Sequence, residues 1–372
     1  MTITKRTHSP YRFEHVGSFL RPARLKEARE KFAKGEITPE ALRKVEDEEI
    51  IKIIEKQEKA GLKAITDGEF RRSWWHFDFF WGLNNVEKTQ VDAGAKFSGV
   101  SIRPETARIT GEITGTNHPV VEDFKFIHDH VSEGFEAKQP IPAPAQFLQE
   151  CLRKYNIEHT KKYYDKIDDL IEAIAAAYRN VIKELYEAGC RTVQFDDCTW
   201  GRIVSESDNE LDESEKEERK AFYVSVNNKA IEGKPEDLII TTHICRGNYK
   251  STWFASGGYD NVATPLFDQE NVAGYLLEYD SERAGTFEPL EKVTDGKQVV
   301  LGLVTSKTGE LEDRDAIIAR IKEATNYIPL DQISLSPQCG FSSTEEGNVL
   351  TEDQQWEKLA FIKGIVEEVW GE

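Results

Sequence analysis

Residues 237–248 read DLIITTHICRGN. A β-branched apolar run ends in His243 and Cys245 before the chain turns polar. Side chains two apart on a strand share a face, so this imidazole and this thiol project together from the strand's C-terminal end. Both are good zinc ligands. The pair alone decides little, because cysteine is also among the residue types most often buried for packing. Two later stretches supply matching donors. YLLEYD at 275–280 offers Glu278, with Asp280 as the competing oxygen donor, and SPQCGF at 336–341 offers Cys339. One nitrogen, two sulfurs and one oxygen make a tetrahedral zinc set. Structural zinc sites draw on paired cysteines in short local loops. The wide scatter of these four favours an open site, with the hard carboxylate as the exchangeable ligand.

Donors so far apart meet only if the fold gathers strand ends. Residues 41–60 place Leu42, Val45, Ile50, Ile53, Ile54 and Gln57 near helical spacing, and Gly61 follows as a C-cap. Residues 167–188 repeat the pattern before Gly189. Short apolar runs predict strands at 13–18, 63–68, 139–144, 192–197, 237–243, 275–280, 298–304 and 332–338. Prolines make 139–144 the poorest of these. Residues 85–120 read as an inserted β-hairpin excursion after the second strand. Alternating strands and helices at this length predict an α/β fold, a single catalytic (β/α)8 TIM barrel over residues 1–372. A doubly wound sheet is the alternative, but no G-x-G-x-x-G follows an early strand. Catalytic groups of such barrels gather at the strands' C-terminal ends. Those ends are Gly17-Ser18, Asp67-Gly68-Glu69, Pro142-Ala143-Pro144, Asp196-Asp197, His243-x-Cys245, Glu278 with Asp280, Thr305-Ser306-Lys307 and Cys339-Gly340.

Composition excludes some function classes. The chain has 372 residues, 39% hydrophobic and 31% charged, with a formal net charge of −19. Such acidity repels phosphate backbones, which argues against a nucleic-acid partner. No apolar stretch is long enough to span a bilayer, and MTITKRTHSP lacks a secretory h-region. Five scattered cysteines give no disulfide framework. The expectation is a cytoplasmic protein with reduced thiols, acting on small molecules and away from membranes.

Other residues have blander readings. The run SWWHFDFFWG at 73–82 packs the barrel rim or, alternatively, walls a pocket for a flat ligand, with His76 and Asp78 lining it. Arg71 and Arg72 read as solvated salt-bridge partners. Cys151 and Cys190 read as core thiols, and Cys198 as a neighbour of the site. His118, His128, His130 and His159 lie in polar stretches and read as surface residues; H-D-H at 128–130 is no metal pair, because i and i+2 diverge on a helix.

Six pieces in order then match a known family: HVGSFLRP (15–22), DGEFRR (67–72), VQFDD (193–197), THICRGN (242–248), LLEYDSERAG (276–285) and SPQCGF (336–341). The chain resembles the catalytic barrel of cobalamin-independent methionine synthases, in particular their short single-barrel relatives. The resemblance implies zinc on His243, Cys245, Glu278 and Cys339. It implies a homocysteine pocket at Val16, Gly17, Ser18, Glu69 and Asp196. The implied activity is methylation of a homocysteine zinc thiolate to methionine, possible donors being 5-methyltetrahydrofolate with a polyglutamate tail or a methylcorrinoid. A rival is an alkyltransferase for another small thiol, of the epoxide-to-coenzyme M kind. One departure stands out: Lys307 in LGLVTSKTGELEDRD occupies the place of the family's proton-donating histidine.

Overall fold

The computed structural model describes residues 3–372 apart from 92–95, 98–99, 102, 206–210 and 295. Its strands are β1 (Ala64–Ile65), β2 (Asn84–Gln90), β3 (Lys96–Phe97), β4 (Val100–Ser101), β5 (Glu105–Thr114), β6 (Glu136–Pro142), β7 (Thr192–Asp197), β8 (Ile239–Ile244), β9 (Gly274–Glu278), β10 (Gln298–Val304) and β11 (Ile333–Pro337). A curled seven-strand sheet runs β1-β6-β7-β8-β9-β10-β11, every neighbouring pair parallel. Helices cover its strands, so runs such as VVLGLV and IITTHI are buried almost throughout. Register fixes the site, because Asp196 pairs with His243 and His243 with Leu276.

The N-terminal segment reaches both edges of this sheet. Phe13 bridges to Leu335, and Glu14 N donates to Leu335 O at 3.0 Å. Farther along, Phe19 N donates to Gly68 O and Thr66 Oγ1 donates to Gly17 O. The predicted strand 13–18 is thus one bridge followed by turns. The predicted strand 63–68 pairs only over Ala64–Ile65, because Gly68 and Glu69 adopt positive φ. The third strand spans Glu136–Pro142 rather than 139–144; the charged Glu136 and Lys138 hid its start.

Between β1 and β6, β2 pairs antiparallel with β5, and β3 with β4. The helix Pro119–His130 begins inside the 85–120 stretch. The β2–β5 pair is tied to the aromatic loop: Trp74 Nε1 donates to Glu105 Oε2 at 2.6 Å, and Arg103 Nη1 to Ser73 Oγ and Glu345 Oε1.

The helix Pro39–Ala60 starts two residues before the predicted 41–60, at a Thr38 cap, and stops at Gly61 with φ 93°, the C-cap its sequence predicts. Among the described residues, no helix is long and apolar enough to cross a membrane.

Candidate functional site

Four donors converge at the C-terminal ends of the sheet. His243 lies near the end of β8 and Cys245 directly follows it, Glu278 ends β9, and Cys339 follows β11. All four are buried, and their ligating atoms lie within 4.8 Å of one another. Cys245 Sγ and Cys339 Sγ are 3.9 Å apart. Two thiolates on one tetrahedral zinc, each about 2.3 Å from it, would stand roughly 3.8 Å apart. His243 Nδ1 faces Leu276 O at 3.1 Å, whereas its buried Nε2 has no hydrogen-bond partner. That leaves Nε2 for a metal and fixes the tautomer through the neighbouring strand.

Glu278 Oε1 accepts from Arg246 N at 2.8 Å, and Oε2 from Arg283 Nη2 at 3.2 Å. Burial pushes its carboxyl up, but Arg283, Lys307 and His243 outweigh this and hold it below its ordinary value. Asp280 is not part of the cluster; it pairs with Arg283 at 3.0 Å.

The thiols are pushed well up, Cys245 chiefly by Cys198 beside it and Cys339 chiefly by Cys245. Thiols crowded beside a carboxylate in a buried site resist ionising, and a bound cation would offset the charge of their thiolate forms. The residues present therefore fit a divalent metal with soft-donor preference.

Beside the cluster lie the other predicted site residues, with Asp196 paired to His243 across the sheet. Ser18 is buried against the loop of Cys339, where Gly340 leaves no room for a side chain: a Cβ there would meet Ser18 Oγ at 1.9 Å. Gly17 has φ 145°, in a turn packed against Pro140. Val16 is buried beside it.

Glu69 has φ 61°, a sparsely populated conformation for a residue with a side chain. Asp67 Oδ1 accepts from Glu69 N at 2.8 Å, and Arg21 Nη2 donates to Glu69 O at 2.6 Å. Glu69 Oε2 has no hydrogen-bond partner and lies 3.8 Å from Arg72 Nη1. Asp196 Oδ1 accepts from Gln194 Nε2 at 2.8 Å. Burial pushes both carboxyls up, to about 7, with Asp196 adding to the rise at Glu69 against the pull of Arg72. Two carboxyls with open acceptor capacity suit a cationic group.

Lys307 Nζ donates to Gly247 O, Asn248 Oδ1 and Thr252 O at 3.3, 3.0 and 3.2 Å. All three ammonium hydrogens thus have acceptors on the loop that follows Cys245.

Other expectations need correction. Arg71 is buried among Glu46, Asp47 and Asp123, and Arg72 is buried with Nη2 on Pro140 O, so neither is solvated. His118 is no surface residue: its Nδ1 caps the helix Pro119–His130 through Val120 N, and its Nε2 meets Phe79 O. His128 and His130 are exposed.

In the aromatic run, Trp74, Phe77, Phe79 and Phe80 are buried in the main core, Phe80 packing on Phe147 at 4.7 Å. His76 packs on Phe77, and Asp78 accepts from Trp74 N; neither belongs to the metal cluster. Reading by residue type missed Arg283 and Gln194, which hold Glu278 and Asp196 in place.

The chain matches the family model of the cobalamin-independent synthase catalytic domain over residues 14–91 and 159–355. It is 44% identical to the uncharacterized Bacillus subtilis protein YxjH, over 98% of this chain and 96% of that one. It is 25% identical to a methionine synthase of Saccharolobus solfataricus, over 87% of this chain and 86% of that one. A solved Listeria monocytogenes structure, assigned as a vitamin-B12 independent methionine synthase, superposes with a TM-score of 0.77 at 40% identity, covering 98% and 99% of the two chains. The matched stretches span most of the sequence, and this chain belongs to the cobalamin-independent methionine synthase family of methyltransferases.

Proposed function

We propose that this chain is a zinc-dependent methyltransferase that converts homocysteine to methionine. The observation that carries the reading is the convergence of His243, Cys245, Glu278 and Cys339 within 4.8 Å. The reading includes one (β/α)8 barrel over residues 1–372, with 13–18 standing as its first stave and the 85–120 stretch, which holds most of the β2–β5 pair, as the insertion after the second.

His243 Nε2, the two thiolates and Glu278 would hold the zinc. Zinc bound there supplies the Lewis acidity that keeps a substrate thiol deprotonated at neutral pH, where a free thiol near pKa 8.5 is mostly protonated. Glu278 is the ligand most readily exchanged, because Arg246 N and Arg283 already receive its two oxygens.

Glu69 and Asp196 take the substrate ammonium, and the backbone of Val16 to Ser18 takes its carboxylate. Together they aim the sulfur at the metal side of the pocket. Arg72 tempers the repulsion between the two carboxylates. Lys307 is a strut, since its donors are spent on the 247–252 loop. The methyl donor in this reading is an N5-methylated folate bearing a polyglutamate tail, and the site works as a soluble small-molecule enzyme of the cytoplasm.

The test is metal analysis joined to thiol binding. One zinc per chain, with a new zinc–sulfur distance in the X-ray absorption spectrum when homocysteine is added, is the expected result. A protein that takes up no zinc, or whose zinc ignores homocysteine, overturns the reading.

A further inference from the structure

Beneath the carboxylate pair lies a fully buried amide. Gln194 is on β7 two residues before Asp196, so the two side chains share a face of the sheet. Gln194 Nε2 donates to Asp196 Oδ1 at 2.8 Å and to Val16 O at 2.5 Å. Its Oε1 accepts from Lys138 Nζ at 3.3 Å. Lys138 Nζ also donates to Glu14 Oε1 at 2.9 Å and His15 O at 2.6 Å, and both members of that ion pair are 1% exposed.

The partners dictate which way the amide points. A carboxylate and a carbonyl only accept, and an ammonium only donates. A side chain here must offer two donors upward and one acceptor below, which the primary amide of glutamine does. Burying a lysine, a glutamate and an amide together is no gain in stability over well-packed apolar side chains. The network therefore calls for a reason other than packing.

Its geometry supplies one. Gln194 joins β7 to the 16–18 turn, the two elements that carry the amino-acid pocket. In a trans peptide the C=O and N–H point opposite ways. With Val16 O held down by Gln194, the Gly17 N–H is turned away from it. The same amide fixes the Asp196 carboxylate, and the Lys138 charge behind it polarises its N–H donors.

We propose that Gln194 is a positioning residue for the substrate's amino-acid end, setting the Asp196 carboxylate and the Val16–Gly17 peptide relative to one another. The proposal rests on the reading of Val16 to Ser18, Glu69 and Asp196 as that pocket.

The test compares two thiols on the zinc-loaded protein by calorimetry. Homocysteine carries the ammonium and carboxylate; propanethiol has the same thiol end without them. In Q194M and Q194E, homocysteine affinity should fall about 10- to 100-fold, the usual scale for leaving a buried charged partner unmatched. Propanethiol affinity should stay within about twofold, and zinc content should not change. Q194E keeps the shape and the Lys138 contact, so it carries the test if Q194M does not fold. Unchanged homocysteine affinity overturns the proposal, as does an equal loss for both thiols, which would mark a structural role. A parent protein that binds the two thiols equally well would instead sink the amino-acid pocket itself, and Gln194 with it.

Discussion

The two halves of the site solve opposite electrostatic problems. The proposed metal half, from β8, β9 and the turn after β11, packs sulfurs so closely that Cys245 pushes Cys339 up, as Cys198 pushes Cys245 up. The proposed recognition half, from the 16–18 turn, the loop after β1 and the end of β7, keeps two carboxyls above their ordinary range by burial, with Arg72 nearby. In the first, the residue types themselves name the guest, since imidazole and thiolate suit few cations. In the second, they do not. A buried Glu or Asp takes its meaning from what holds it, here Gln194, Asp67 and Arg21.

The comparison breaks most visibly at Cys339. Cys339→Ser replaces a thiolate with a hydroxyl that stays protonated, so the expected outcome is near-complete loss of zinc and of turnover. The pocket should survive, because Ser18 and Gly340 keep their packing. Metal analysis after dialysis against a chelator checks this. A variant that retains a full complement of zinc would remove Cys339 from the ligand set.

Asp196→Asn should act on the other half alone, weakening homocysteine about 10- to 100-fold with zinc content unchanged. The pH dependence sharpens the contrast. Glu69 and Asp196 sit near 7 in the folded protein, above the ordinary carboxyl range near 4. The native state thus binds more protons than the unfolded chain between these values. Their contribution to stability is present below about 4 and is lost as pH rises through about 7. Binding of an ammonium favours the ionised forms. Homocysteine affinity, taken as a ratio to propanethiol so that thiol ionisation cancels, should rise with pH up to about 7 and then level. In Asp196→Asn the rise should shrink. A ratio flat from pH 5.5 to 8 would show that these carboxyls do not meet the ammonium.

The difference between the halves also explains what could be read from sequence. Most of the sheet was legible, because parallel strands buried on both faces appear as continuous apolar runs such as QVVLGLV and DLIITTH. The convergence of His243, Cys245, Glu278 and Cys339 was legible from residue type and strand-end position. Legibility failed where polar side chains enter the sheet interior or bond backbone. Glu136 and Lys138 disguised the start of β6, and the chain after Phe13 exchanges strand pairing for contacts with Gly68 and Thr66. His118 looked exposed because its neighbours Thr116 and Asn117 are polar, yet its ring caps a helix. A signal for Gln194 was present: it is a polar residue two before Asp196 in TVQFDD, at the same parity. Its meaning needs Lys138 and Val16, which lie far away in the chain.

The smallest expected effect concerns Lys307, which follows β10 on the metal side. As a strut it holds Gly247, Asn248 and Thr252, just beyond Cys245, and its charge favours ionised Glu278. Lys307→Met should loosen zinc about tenfold, the scale seen for groups that orient ligands without touching the metal. With zinc saturating, turnover should stay within about threefold of the parent protein. A proton donor would behave differently. Removing it would leave zinc affinity nearly untouched and cut turnover about 100-fold or more, with loss of the alkaline limb of the pH–rate profile. Chelator competition and zinc-saturated kinetics on one variant separate the two roles. The strut has the stronger case, because an ammonium with three acceptors already in place must break one of those bonds before it can serve a leaving group.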